Sequence, residues 1–134
     1  MAHPLMFDPA EPCLLTLREI CLALPGADEK ISHGRPNFFT RKVFAIYGGS
    51  LNGDHFAPVA RHALLFLPDA DDRPALLEDE RFFVPAYVGT NGWLGLSFEL
   101  SGCHRVDWGE VAELVDASYR NTAPARLVAE LDAR

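Results

Sequence analysis

The sequence has few cysteines and no spacing of residues that is typical of a metal site. Its three cysteines are odd in number and include no CxxC pair, which predicts reduced thiols; they are Cys13, Cys21 and Cys103. The five histidines lack the HxH, HxxxH and HExxH spacings; they are His3, His33, His55, His62 and His104. We therefore expect no bound metal and no cofactor. His62 could point from a strand into a groove, but a hydrogen-bonded structural role is favoured.

Long apolar runs are also missing. The longest apolar stretches, such as residues 63–67, fall far short of the roughly 20 residues that cross a bilayer. The N-terminal segment has no basic region followed by an apolar one, and Asp8 and Glu11 interrupt it. These absences predict a cytoplasmic protein that does not associate with membranes.

The sequence contains none of the common catalytic or nucleotide-binding motifs. None of the five serines lies in GxSxG. Gly48, Gly49 and Gly53 fit neither GxGxxG nor GxxxxGK[ST], because no lysine and no helical pattern follows them. We therefore assign no catalytic residue and expect a protein that is not an enzyme.

Positive charge is scarce, and what there is lies unevenly along the chain. The formal net charge of −7 predicts repulsion from phosphate backbones, which argues against nucleic-acid binding. Residues 30–53 nevertheless carry four basic residues and no acid, whereas residues 69–80 carry six acids and one arginine. A local basic surface is therefore compatible with the sequence. The acidic run could attract a divalent cation, but such runs are more typical of a solvated helix face.

The length and composition indicate one globular domain. A chain of 134 residues is close to the usual size of a domain, and half of it would bury too small a core. Hydrophobic residues make up 49% and charged residues 23%, which is far from the composition of disordered chains. We expect a single domain over residues 1–134.

Hydrophobic periodicity predicts the order helix, three strands, helix, two strands and one or two helices. Pro12, and Thr16 with Glu19 in capping-box spacing, indicate the first helix. The runs NFF and KVFAIY predict a hairpin, ARHALLFL a strand covered on both faces, and RFFVPAY a short strand.

The second half of the chain gives the clearest helix and strand signals. Alternation in GWLGLSFE predicts a strand, and Asp107 with Glu110 predicts the start of a long helix. Pro74 and Pro124 are placed near the starts of two further helices. Together these elements predict a two-layer α+β fold, with helices covering a mainly antiparallel sheet of five strands.

Several of these segments resemble the MmcQ/YjbR family over about residues 16–131. The strongest are the proline and tyrosine of VPAY before Gly92-Trp93 and the triplet Ser118-Tyr119-Arg120. The wider resemblance lies in LREICLALPGADE, GRPNFF, KVFAIY, DERFFVPAYVG, GWLGLSFE and DWGEVAELVDASYRNTAPARL. It implies the fold of secretion chaperones and frataxin-like proteins, and the description "DNA-binding protein". VGTNGW replaces a stretch that in many relatives contains histidine and lysine, which argues against DNA binding through that loop.

The segment HGRPNFFTRK is the candidate nucleic-acid interface. Arg35, Arg41 and Lys42 are candidate phosphate contacts, and Phe38 or Phe39 is a candidate stacking face. The favoured alternative is a hairpin whose phenylalanines face the core and whose arginines pair with carboxylates.

A second candidate site is a shallow aromatic groove lined by Tyr87 and Trp93, which would hold a peptide or protein partner. The alternative is that both rings belong to the core. The sequence thus supports two hypotheses, DNA binding and partner binding.

Overall fold

The computed structural model describes residues 4–99 and 103–134. Its helices are α1 (Pro12–Leu22), α2 (Pro58–Arg61), α3 (Arg73–Leu77), α4 (Trp108–Thr122) and α5 (Ala125–Asp132). Its strands are β1 (Asp28–Ser32), β2 (Arg35–Phe39), β3 (Val43–Tyr47), β4 (Ala63–Phe66), β5 (Phe82–Phe83) and β6 (Leu94–Ser97). Short 3₁₀ turns cover Val88–Asn91 and Cys103–Arg105.

The strands form one sheet in the order β1-β2-β3-β4-β6-β5, and every neighbouring pair is antiparallel. The predicted α+β class is confirmed, with six strands instead of five. The strand that the pattern did not predict is β1, whose sequence DEKIS contains three charged residues of low strand propensity. It lies at the edge of the sheet, where charged side chains protect a strand against unwanted pairing.

The starts of the helices follow local chemistry. The first helix begins at Pro12, as predicted, because proline presets the helical φ and its missing N–H is not needed there. The capping box at Thr16 is wrong, since its hydroxyl donates instead to the carbonyl of Pro12. The cap at Asp107 is confirmed, with its Oδ1 accepting from the Glu110 N–H at 3.1 Å. No helix of the described residues is both long and apolar enough to cross a bilayer.

One face of the sheet carries the main core. Helix α4 packs on β3 and β4 and also contacts α1. Its buried Val111 and Val115 lie in the same cluster as Leu96, and the ring of Tyr119 meets Phe44 edge-on at 5.3 Å. Fully burying a side chain of this size contributes about 1.5–3 kcal/mol, so this stripe anchors the helix to the sheet.

The opposite face of the sheet, called here the open face, is covered in part by the loops before α2 and after β5. Leu65 is buried on this face, against Gly49 of the segment that follows β3. The ring of Phe83 lies over Gly95, where any Cβ would overlap it. The Ala86 N–H donates to the carbonyl of Ser50 at 2.8 Å, so the loops before α2 and after β5 are joined above the open face.

The expectation of three reduced thiols is corrected by the fold. Cys13 at the start of α1 and Cys103 form a disulfide, with Cα atoms 5.4 Å apart, a normal separation for such a bond. Only the topology brings together two cysteines that are 90 residues apart. Cys21 is free and buried in the core, and desolvation raises the pKa of its thiol.

Candidate functional site

The predicted nucleic-acid interface loses one of its two candidate stacking faces. Phe38 is 0% exposed and belongs to the core cluster under the helices, so it cannot stack on a base. Phe39 is half-buried, and the Nζ of Lys30 lies 4.8 Å from the centre of its ring. Phe38 therefore belongs to the core, as the alternative interpretation expected. The other part of that interpretation, arginines paired with carboxylates, is not seen for Arg35 or Arg41 among the described residues.

Arg41 and Lys42 are exposed in the turn between β2 and β3. Within residues 4–99 and 103–134, neither side chain forms a hydrogen bond or an ion pair. In the antiparallel β3–β4 pair, Ala45 lies opposite Phe66, so this turn shares one end of the sheet with the segment that follows β4. That segment, residues 69–72, contains three exposed aspartates. A phosphate approaching Arg41 and Lys42 therefore meets negative charge nearby.

Arg35, the third predicted cation, lies at the start of β2 and is half-buried. Its Nη1 is fully buried and has no hydrogen-bond partner among the described residues. The pKa of its guanidinium is lowered, first by desolvation and second by the charge of Arg61. The charge of Arg61 thus acts on a guanidinium that is partly withdrawn from water.

Gly48 shapes the pocket into which Arg35 fits. Its φ of +86° is a conformation that glycine adopts without strain, and a Cβ there would overlap the Nη1 of Arg35. The same Cβ would lie 2.7 Å from the carbonyl oxygen of Arg61. The backbone at Gly48 is therefore the floor on which the guanidinium of Arg35 rests.

Arg61 lies close to exposed aromatic side chains. It ends α2 and is exposed, and its Nη2 lies 3.5 Å from the carbonyl oxygen of Phe56. The side chain of Phe56 is 67% exposed, although it is large and apolar. The neighbouring His55 stacks at a tilt on the ring of Tyr87, with centroids 6.0 Å apart.

Tyr87 is the most exposed large aromatic side chain of this surface, at 71%. Its backbone has φ +66° and ψ −74°, and the Val88 N–H donates to the carbonyl of Ala86 at 2.8 Å. This is the rare and strained form of the γ-turn, with a tyrosine at its centre. Among the described residues, no ring contact joins Tyr87 to Trp93, and a groove lined by these two rings stays a prediction. The partner of Tyr87 is His55, whose Nε2 lies 3.4 Å from its hydroxyl oxygen.

A second cluster brings together residues that the sequence did not connect. The hydroxyl of Tyr47 donates to the Oε2 of Glu11, and the Nδ1 of His62 lies 3.0 Å from the same oxygen. Glu99 reaches the other side of the imidazole, with 3.9 Å between Nε2 and Oε2. The cluster lines a cleft of about 320 Å³ beside the Cys13–Cys103 disulfide. Desolvation and the hydrogen bond to Glu11 raise the pKa of Tyr47.

A third polar group closes a cleft of about 300 Å³ between α3 and α4. The guanidinium of Arg81 donates to both Asp79 and Glu110, with shortest distances of 2.7 and 2.8 Å. These bonds raise the pKa of Arg81, and its bonds to Asp79 lower the pKa of that carboxyl. The charges of this cleft are thus paired within the protein.

The sequence of the chain also matches a known protein family. The sequence model of the YjbR family matches residues 22–121, about three quarters of the chain. The chain belongs to the YjbR family. No curated protein matches it.

The YjbR match covers the region of Arg35 and Tyr87 fully and the Tyr47 cluster in part. Arg35, Arg61, Phe56 and Tyr87 all lie inside the matched residues, whereas Glu11 of the Tyr47 cluster lies outside them. The sequence signals for these groups differ as well. Tyr87 stood out through VPAY, and His62 only as a histidine that could point into a groove. No local pattern indicates that Glu11 reaches Tyr47, which is 36 residues away.

Proposed function

We propose that this YjbR-family protein is a non-enzymatic binding module that holds a peptide or protein partner on its open face. The observation that carries the proposal is Tyr87, an exposed aromatic ring on a strained γ-turn. Backbone strain of this kind costs about 1–3 kcal/mol and concentrates at binding and switch sites. A tyrosine gains nothing for folding from such a position, because its ring is mostly in water.

The surroundings of Tyr87 support a docking surface. Phe56 is equally exposed, and Val84 beside Pro85 is 42% exposed. His55 joins Tyr87 to the loop that carries Phe56. Exposed aromatic side chains that become buried on association typically contribute most of the binding energy of an interface. We refer to His55, Phe56, Val84 and Tyr87 as the aromatic surface.

The chemistry of the polar clefts favours binding over catalysis. In the Tyr47 cluster, Glu11 is engaged by both Tyr47 and His62, and the raised pKa of Tyr47 keeps its hydroxyl protonated near neutral pH. In the other cleft, Arg81 is neutralised by two carboxylates. Both clusters hold elements of the fold together: the first joins α1 to the sheet, and the second joins β5 to α4.

The test uses random peptides displayed on phage, selected on the parent protein. Synthetic copies of the selected peptides are then titrated against Tyr87→Ala and Phe56→Ala by fluorescence anisotropy. We expect each substitution to weaken binding by about tenfold or more, as for interface hot spots. Leu22→Ala is the matched control, because Leu22 is an exposed apolar residue on α1. If the selected peptides bind both variants as tightly as they bind the parent, the aromatic surface is not the binding site.

DNA binding is the second candidate function, and the observation that favours it is the exposure of Arg41 and Lys42. Because the molecule carries a net charge of −7, we expect such binding to be weak at physiological salt. Titration of duplex and single-stranded DNA at several salt concentrations measures it. Neutralising either residue should lower the salt slope by about one if it contacts a phosphate. If the parent and the variant carrying both Arg41→Glu and Lys42→Glu bind DNA equally well, this turn is not the DNA-binding site.

A further inference from the structure

We propose that Arg35 and Arg61 form a binding site for an oxyanion, a carboxylate or a phosphate group, carried by the partner. The identity of the partner rests on the proposed function, but the oxyanion site does not. The observation behind it is the buried Nη1 of Arg35, which has no partner among the described residues.

An arginine in this position requires a counter-ion. Its guanidinium stays protonated at any physiological pH, so it cannot avoid the cost of burial by losing its charge. A buried donor without a partner destabilises the fold, and more so when it is charged. Arg61 adds a second positive charge nearby, which raises the cost further. A bound anion would satisfy the donor and offset the repulsion.

The protein itself does not supply that anion. Of its 19 acidic residues, none within residues 4–99 and 103–134 forms an ion pair with Arg35 or Arg61. Arg18, Arg81 and Arg120, in contrast, each pair with a carboxylate at 2.6–2.8 Å. Three of the ten arginines are thus neutralised by a carboxylate, whereas Arg35 is half-buried and pairs with none within the described residues. Arg73 also has a buried Nε without a hydrogen-bond partner there.

The local backbone is built to keep the guanidinium in place. Gly48 leaves the space that Nη1 occupies, and its φ of +86° disfavours any other residue. The N–H of Gly48 donates to the carbonyl of Ala63 at 2.7 Å, which fixes this floor to the first residue of β4. Arg35 is therefore held at a defined depth, and a planar guanidinium so held can bind a carboxylate or phosphate through two parallel hydrogen bonds.

The position of the pair favours an acidic peptide over a nucleic acid. Arg61 lies at the carbonyl of Phe56, so an anion held by the pair is next to the aromatic surface. A peptide with an acidic residue beside apolar ones matches both parts. A nucleic acid needs a track of several phosphate contacts, whereas this site offers two cations in a protein of net charge −7.

The test follows the Nε–Hε resonances of the arginines by NMR, with isotope-labelled arginine. Sodium acetate and sodium phosphate are titrated separately, and sodium chloride at the same ionic strength is the reference. We expect saturable shifts of Arg35 and Arg61 with one or both oxyanions, and none with chloride. The acetate and phosphate arms show which oxyanion the site prefers. A response to chloride that equals the response to both oxyanions would overturn the site.

Single substitutions show which arginines bind the oxyanion. Arg35→Gln and Arg61→Gln should each abolish the saturable response of the other arginine, whereas Arg41→Gln, which removes an exposed cation from the β2–β3 turn, should retain it. If Arg35→Gln does not fold, Arg61→Gln carries the test alone. A response of Arg35 that persists unchanged in Arg61→Gln would show that the two do not act as one site.

A stability measurement separates binding from a structural role. Without oxyanion, Arg35→Met should melt at the same temperature as the parent or higher, because an unpaired buried charge is replaced by an apolar chain. A clear fall in its melting temperature would mean that Arg35 stabilises the fold and would overturn the inference. Tyr87→Ala should leave the oxyanion response intact, so failure of the aromatic surface and failure of the oxyanion site give different results.

Discussion

Ser118 and Phe44 are joined by a buried hydrogen bond of 2.6 Å, in which the serine hydroxyl donates to the backbone carbonyl. The hydroxyl oxygen of Ser118 also accepts from the Leu67 N–H at 2.8 Å. One side chain of α4 thus supplies hydrogen-bond partners for a backbone carbonyl of β3 and for the backbone N–H that follows β4. The next two residues act similarly: Tyr119 donates to the carbonyl of Pro25, and Arg120 pairs with Asp116 and Asp132. The triplet that carries part of the family resemblance therefore holds helices, strands and turns together.

Replacing Ser118 by alanine should be costly for its size. The change leaves the buried Phe44 carbonyl and Leu67 N–H without a partner, which costs about 1–3 kcal/mol. Urea unfolding measures the difference in free energy. Ser32→Ala on the edge strand is the control, because Ser32 is half-buried and its hydroxyl has no hydrogen bond within the described residues. Equal midpoints for the two variants would contradict the proposed role of the Ser118 hydroxyl.

Tyr87 should respond to glycine and alanine in the opposite order from an ordinary residue. Tyr87→Ala keeps a Cβ at positive φ, whereas Tyr87→Gly removes it and relieves the strain. We expect the glycine variant to be more stable by up to about 1 kcal/mol in urea melts. At Val84, a neighbouring exposed site without positive φ, alanine should be the more stable of the two. A common order at both sites would disprove the strain at Tyr87.

The Cys13–Cys103 disulfide should contribute substantially to stability. Its closed loop spans 90 residues, for which the loss of unfolded-state entropy corresponds to at most about 4–5 kcal/mol. A reductant should therefore lower the urea midpoint of the parent and leave that of Cys103→Ser unchanged. Thiol titration of the denatured, unreduced parent should find one reactive cysteine, Cys21. Three reactive thiols would mean that the cysteines are reduced, as their spacing predicts for a cytoplasmic protein.

Asp79 should stabilise the fold only above acidic pH. Hydrogen bonds from Arg81 lower its pKa below the usual value near 3.8. Because the folded pKa is the lower one, its contribution is complete above pH 4 or so and is lost as the pH falls through the folded pKa. Asp79→Asn should thus cost less than about 1 kcal/mol at neutral pH, since both side chains are partly exposed, and nothing in strong acid. Asp71→Asn, at an exposed aspartate without a described partner, should show no such difference.

Local chemistry accounts for much of the fold. Pro12 and the Asp107 cap define helix starts because each acts within its own turn, and alternation in β6 marks Leu94 and Leu96 as core residues because side chains of a strand alternate between faces. The charged strand β1 was not predictable in this way, since it is ordered by pairing with β2 and not by its own propensity.

The residues of the candidate site fall into the same two groups, those that a local pattern indicates and those that only long-range contacts bring together. The α+β class, the family resemblance, the uneven distribution of charge and the interest of Tyr87 and Arg35 are all evident without a structure. The burial of Phe38, the unpartnered Nη1 of Arg35 and the contacts of Glu11 with Tyr47 and His62 emerge only in the folded chain. The two groups differ in sequence separation. Periodicity and capping act over a few residues, whereas these contacts depend on strand register and on loops that close over distant parts of the chain.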